Sequence, residues 1–432
     1  MSGRRRNVDE IFAVADLSAA ALDRRLARET AAPIVVAFSG GGDSLALLLG
    51  AKAWAGRVGR RLLVVTVDHR LQADSARWSA WCADRAARLD VAHRILVWDG
   101  DKPATGLAAA ARAARHGLLA DAARAVGARV ILMGHTADDR LEARLMRAQG
   151  GAVSEPREWS PSPVWPQGRD LFLLRPLLSA RRADIRLRLA DAGETWIDDP
   201  ANADPRHARA RARLELAGGG VVEHACTRPA PPLDDLTISP AGDIVLGPRA
   251  SRSRLLGPAL LCASGTDRPP RRDRRDRLLA RIAAGDPFAA TLSGARIESD
   301  GRTVRISREA GEMHRSGRPA SVALTTAPIV WDGRFEMTAK VEGLALRPLA
   351  GMAARLDRNQ RAALACIDPC VRKSLPAILD AEGAVTSPIL AADDRIRLRP
   401  LVESRFLAAC GAVECEADIK VHGENARDTL NR

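Results

Sequence analysis

The chain has 432 residues, with 66 Lys+Arg against 53 Asp+Glu and a formal charge of +13. That length suggests two to three domains, and 46% apolar residues can bury a core, which excludes a chain disordered by composition. The basic excess favours a polyanionic partner, for which nucleic acid is the commonest candidate.

From Pro33 to about Leu189 the pattern alternates. Apolar, β-branched runs at 34–38, 62–67, 94–98 and 129–133 read as strands, and Ala/Leu/Arg-rich segments at about 43–55, 72–90, 105–127 and 137–148 read as helices. Short buried strands separated by helices of this length predict βαβ units, hence a Rossmann-like α/β parallel sheet with helices on both faces. Ligands in such sheets bind beyond the carboxyl ends of the strands. Residues 150–168 are rich in Gly, Pro and Ser and read as a loop, either a lid or an inert insertion. A strand at 171–174 then leads into a helix with Ser179 as its expected N-cap and Gly193 as its stop.

The remainder divides by composition. The expected organisation is an N-terminal extension (1–32), a catalytic domain (33–217) and two smaller α+β domains at 233–310 and 329–432, separated at 218–232 and 311–328. A basic helix is expected at 269–285 and another helix near 354–366. No apolar run reaches membrane-spanning length, so no membrane partner is expected. Seven scattered cysteines without a C-x-x-C pair argue against zinc-ribbon, iron–sulfur or redox chemistry and suit a reducing, cytoplasmic compartment. Six Phe, eight Trp and no Tyr leave few stacking platforms, so RNA contacts should rely on Arg and shape.

The strongest chemical signal is Ser39-Gly40-Gly41-Gly42-Asp43-Ser44, which leaves the first strand and opens the first helix. Glycines let the backbone approach a phosphate, and the loop amides and helix N-terminus favour the anion. Asp43 repels phosphate unless a cation intervenes, which suggests Mg²⁺ between Asp43 and the phosphates. The loop is neither G-x-x-x-x-G-K-[ST] nor G-x-G-x-x-G. Val67-Asp68-His69 ends the second strand, where an adenine or ribose contact belongs. Arg112 and Arg115 share a helical face and could clamp a triphosphate or carboxylate, or be a solvated face. In Gly134-His135-Thr136-Ala137-Asp138-Asp139-Arg140-Leu141-Glu142, the acids Asp139 and Glu142 share a face that suits an amine or a metal, while plain helix capping is the simpler role for Asp138 or Asp139. Last come Leu174-Arg175-Pro176-Leu177-Leu178, Asp198-Asp199-Pro200-Ala201-Asn202 and Arg209-Ala210-Arg211-Ala212-Arg213.

The first motif resembles the S-G-G-x-D-S loop of the N-type ATP pyrophosphatases (the PP-loop superfamily). The whole series, in this order over about residues 33–215, is similar to the tRNA(Ile)-lysidine synthetases. The resemblance implies a ligase that joins free L-lysine to the wobble cytidine of tRNA(Ile) with a CAU anticodon. ATP adenylates the carbonyl oxygen at carbon 2 of the cytosine ring, then the lysine ε-amine attacks that carbon and AMP leaves. It implies that Ser39 to Ser44, with His69 and His135, bind ATP, that Asp43 holds Mg²⁺, and that Asp139 and Glu142 meet the lysine cations. Arg112, Arg115 or Arg209 would then meet its carboxylate or the phosphates, and the two C-terminal domains would bind tRNA. The sequence departs from the family pattern at Arg140 and Ala143 (usually D-D-Q-x-E-T), at Arg70 and Gln72 (usually H-G-L-R), and at Ala148 and Gln149 (usually R-G-S-G). Thiolation enzymes share the first loop, but the iron–sulfur type needs C-x-x-C pairs. A non-catalytic RNA-binding protein with a decayed site would bind tRNA without exchanging pyrophosphate into ATP.

Overall fold

The computed structural model describes residues 2–151, 153–200, 204, 208–216, 231–315 and 321–419. Most of the expected linker at 218–232, part of the one at 311–328, Ala201 to Ala203 and Cys226 lie outside the described residues. Two compact units form: Met1–Arg228 with Val413–Arg432, and Pro229–Ala412.

The first unit is built on a sheet of six strands: β1 (Ile34–Ala37), β2 (Leu62–Asp68), β3 (Ala92–Val97), β4 (Val130–Leu132), β5 (Trp159–Pro161) and β6 (Phe172–Leu174), in the order β3-β2-β1-β4-β6-β5. All pairings are parallel except that of the edge strand β5. Alternate residues serve opposite faces, as the period of two requires. Ile34, Val36, Val64, Val130, Leu132 and Leu174 enter one core with α2 (Gly42–Val58), α3 (Ser75–Arg88) and α6 (Arg182–Asp191). Val35, Val65, Ile131 and Leu173 enter the other with α4 (Leu107–Ala125). The expected doubly covered parallel sheet is therefore present. The unit is completed by α5 (Ala137–Ala148) and α7 (Ala208–Leu216).

Three expectations need correction. The N-terminal extension is not an appendage: α1 (Ser2–Arg25) buries Val14 and Leu22 in the α2 core. The loop 150–168 contains β5 and is held down, since Glu155 accepts hydrogen bonds from Arg140, Arg144 and Arg147 of α5 and Glu158 from Arg24 and Arg25. Ser179 does not cap α6, whose N-cap position is Arg181. Instead the Asp138 carboxylate of α5 accepts the Arg182 amide at 2.7 Å and the Arg181 side chain at 3.2 Å. Gly193 does stop α6, in the left-handed conformation (φ 71°).

Residues 413–419 belong to this unit as well. Glu416 is buried with Arg60 in a paired contact of 3.0 Å on both oxygens, and Arg60 also donates to the Ala32 carbonyl.

The second unit carries antiparallel sheets of five, four and three strands. The basic helix forms at Arg272–Ala284, and the helix expected near 354–366 forms at Arg358–Ala365 after a short 3-10 turn. The spans 233–310 and 329–432 lie together here as far as Ala412. One tie between them is buried: Asp332, at the tip of a hairpin, accepts from Arg308 at 3.0 Å and from Arg334 at 2.9 Å. No helix among the described residues is long and apolar enough to cross a membrane.

Candidate active site

The site lies at the carboxyl ends of β1, β2, β4 and β6. Phe38 ends β1 by donating its amide to the Val65 carbonyl, and Leu45 closes the first helical turn onto Gly41 at 2.9 Å. Between them Gly40 takes φ 83°, which only glycine adopts without cost. A Cβ there would also meet Ile197 Cδ1 at 2.4 Å. Among the described residues the Gly40 and Gly41 amides donate to no acceptor. Ser44 Oγ donates to the Gly41 carbonyl at 2.8 Å and lies 3.3 Å from both Ser39 N and Ser39 Oγ. The loop is thus preformed, with amide donors and the N-terminus of α2 free for an anion. Ile197 fastens its back by donating its amide to the Gly40 carbonyl. Gly134, at the end of β4, lets that strand approach α2, since a Cβ would sit 3.1 Å from the Asp43 carbonyl and the Ser44 backbone.

Beside the loop, three carboxylates share one cation. Arg182, the first residue of α6, contacts Asp43 Oδ2 at 2.9 Å, Asp139 Oδ2 at 3.3 Å and Glu142 Oε1 at 3.1 Å. Burial alone would weaken the Arg182 cation, but Asp139, Asp43 and Glu142 outweigh it and raise its pKa. Burial dominates at Asp43, whose carboxyl lies above its ordinary range despite Arg182. Asp43 Oδ1 and Glu142 Oε2 are buried without a hydrogen-bond partner among the described residues. Asp139 also accepts from Thr136 N at 2.8 Å, so it caps α5, and Arg209 of α7 approaches it at 3.7 Å. Arg213 takes the other side of Glu142 Oε1 at 2.7 Å.

A cationic wall faces these acids. Arg112 and Arg115 of α4 form no ion pair among the described residues, and Arg115 Nε is buried without a partner. Burial first, then Arg112 and Arg209, pulls Arg115 down to about 10, and burial then Arg209 lowers Arg112. Arg175, after β6, is likewise brought to about 10 by burial and Arg112. His135, after β4, is nearly fully buried, and burial with Arg175 and Arg115 holds its pKa well below the usual value. His69, after β2, sits edge-on to Trp98 at 5.9 Å with Nδ1 buried and unpartnered, and burial, then Arg115, lowers its pKa. At neutral pH both imidazoles are therefore neutral and the guanidiniums charged. Cations left unpaired and partly desolvated this way make a binding site for an anion.

Of the residues singled out from the sequence, Ser39 to Ser44, His69, Arg112, Arg115, His135, Asp139, Glu142 and Arg209 lie together at the carboxyl ends of the strands. Arg140 does not enter it, because its guanidinium goes to Glu155. Sequence reasoning named Arg175 and Arg213 within motifs without giving them a role, and it did not name Arg182. For Arg182 a signal existed: Arg181-Arg182 start a helix, where the macrodipole disfavours cations. Such a pair needs acids from elsewhere.

The residues present fit a divalent cation. Asp43 Oδ1 is an orphaned, buried carboxylate oxygen beside a loop whose amides await phosphate.

A family model described as a PP-loop domain matches residues 15–218. The chain is 49% identical to the tRNA(Ile)-lysidine synthase of Caulobacter vibrioides over 92% of its own length and 98% of that protein. It is 34% identical to the tRNA(Ile)-lysidine synthase of Mesorhizobium japonicum, over 86% of this chain and 88% of that one. Among solved structures, the U34-tRNA thiolase of Methanococcus maripaludis aligns at a TM-score of 0.40 with 12% identity, over 48% of this chain and 73% of that chain.

Proposed function

Because the chain belongs to the tRNA(Ile)-lysidine synthase family, we propose that it ligates L-lysine to carbon 2 of the wobble cytidine of tRNA(Ile) bearing a CAU anticodon, using ATP and Mg²⁺. The observation that carries this reading is the meeting, at one sheet edge, of an open phosphate loop and a cluster of buried acids with unpaired carboxylate oxygens.

In the first step the oxygen on cytosine carbon 2 attacks the α-phosphorus of ATP, and pyrophosphate leaves. The Gly40 and Gly41 amides, Ser39, Ser44 and the start of α2 bind the phosphates and hold them in line. A divalent cation held by Asp43 would offset the charge that grows on the leaving pyrophosphate. Arg112 and Arg115 add fixed positive charge that needs no reorganisation as negative charge develops. His69 and His135, neutral at working pH, face the nucleotide as hydrogen-bonding groups.

In the second step the neutral lysine ε-amine attacks carbon 2, the bond from carbon 2 to that oxygen breaks so that AMP carries the oxygen away, and the amine's proton is released to solvent. Glu142 Oε2 is the free acceptor for a lysine ammonium group, with Asp139 and Glu142 Oε1 already engaged by arginines. Arg209 is the candidate for the lysine carboxylate. Most of the rate gain comes from holding two reactants in register. The spans 233–310 and 329–432 are read as tRNA-binding, aiming the site at one anticodon.

The test is incorporation of labelled lysine into unmodified tRNA(Ile) with ATP and Mg²⁺, beside a methionine tRNA. Label on the isoleucine tRNA alone is expected. ATP cleavage to AMP with no lysine incorporated would keep the adenylation chemistry and remove the substrate assignment.

A further inference from the structure

The protonation of His135 is decided by a neighbour's geometry. Arg175 Nε lies 3.1 Å from His135 Nδ1, with both side chains buried. The guanidinium carries its proton at any working pH, and Nε–H can only donate. His135 Nδ1 must therefore offer a lone pair, which leaves the ring proton on Nε2.

Arg175 cannot turn away easily. Its Nη1 donates to the Arg157 carbonyl at 2.7 Å and to Ser160 Oγ at 3.0 Å, and its own amide is tied to the Glu158 carbonyl at 2.8 Å. An imidazolium at His135 would set N–H against N–H. It would also add a charge among Arg112 and Arg115 of α4, Arg209 of α7 and Arg175 itself, with His116 neutral beside them. The nearby acid Asp139 is committed to Thr136 and Arg182. His135 Nε2 has no hydrogen-bond partner among the described residues.

We infer that Arg175 is a positioning residue that fixes His135 as the neutral tautomer protonated on Nε2, so that His135 meets its ligand as a hydrogen-bond donor and never as a proton acceptor. That this ligand is an oxygen of the nucleotide rests on the function proposed above. The tautomer itself does not.

Nitrogen-15 NMR of the full chain labelled at histidine, with His135→Gln to assign the signal, reads the lock directly. One protonated nitrogen at Nε2 and one bare nitrogen at Nδ1 are expected, unchanged between about pH 5 and pH 8. Protonation at Nδ1, or an imidazolium in that range, overturns the inference. In Arg175→Met the His135 signals should move with pH or split between tautomers. A purely structural Arg175 would leave them where they were.

Pyrophosphate exchange into ATP then separates donor from base. The Gln amide can donate from the Nε2 position but cannot serve as a base. His135→Gln should therefore lose far less than His135→Ala, for which about a hundredfold loss matches the removal of one fixed donor. Equal, near-total losses would identify a base and overturn the inference. An intact tautomer with undiminished exchange in both variants would keep the lock and remove His135 from the nucleotide.

Discussion

Asp43 and Arg182 share a 2.9 Å contact, yet the two groups pull stability in opposite directions. Burial outweighs Arg182 at Asp43 and raises its carboxyl above the ordinary range. Its folded pKa exceeds the unfolded one, so above the unfolded value the charge costs stability. Asp43→Asn should therefore raise the melting temperature of the unliganded protein at neutral pH while cutting pyrophosphate exchange by at least about a hundredfold. A variant that exchanges at the parental rate would end the assignment of Asp43 to the phosphates. Salt-dependent tRNA affinity should be unaffected. Arg182 is the reverse case. Arg182→Met strips the cation from buried Asp139 and Glu142 and half-buried Asp43, and denaturant titration should show a loss of about 3 kcal/mol or more. The acids were legible in the sequence because their spacing and their place after strands carry meaning. Arg182 was not, because its partners come from two helices distant along the chain, α2 and α5.

At the scale of elements, α4 concentrates the consequences of burying charge. His116 is buried and its pKa falls to about 2, chiefly by burial and then by Arg115. His135 is depressed in the same sense. Both bind a proton in the unfolded chain and not in the folded one below about pH 6.5. Their contribution is present above that pH and is lost as pH falls toward the folded values. Thermal melts of the unliganded chain should therefore drop steeply between about pH 7 and pH 5. His116→Gln should flatten the slope; an unchanged slope would assign the loss to other groups. The strands and helices of the first unit were readable from apolar runs and their spacing. β5 was not, because Trp-Ser-Pro is too short to show alternation and its partner is a return pairing with β6. The start of α6 was missed for a related reason: its cap is the side chain of Asp138, supplied from another helix rather than from Ser179.

Across the whole molecule the excess positive charge has a clear concentration. The helix Arg272–Ala284 is preceded by Arg271 and carries Arg272, Arg274, Arg275 and Arg277 in two turns, with only Asp273 and Asp276 between them. Arg272 and Arg277 are largely exposed. Replacing Arg271, Arg272 and Arg274 by Gln should weaken tRNA binding and reduce the slope of log affinity against log salt by about one for each phosphate no longer neutralised. Catalysis at saturating tRNA should change little, and a reduced rate with unchanged affinity would move this helix out of the tRNA surface. The division of the second unit was the least legible part of the chain. Its ties, such as Arg308 on Asp332, join separate segments and leave no local pattern.

The pairing of Arg60 with Glu416 spans nearly the whole chain, and it sets a schedule. A ribosome delivers Arg60 early and Glu416 some 350 residues later, as their separation of 356 positions requires. Until then the guanidinium has its carbonyl partners and no counter-charge. A chain that ends before Glu416 leaves this guanidinium without its carboxylate, and breaking such a pair where it is buried costs about 3–5 kcal/mol. Translation must therefore run through Glu416 before the charge beside β2 is balanced, and a chain ended short of it should melt at a lower temperature than the full one.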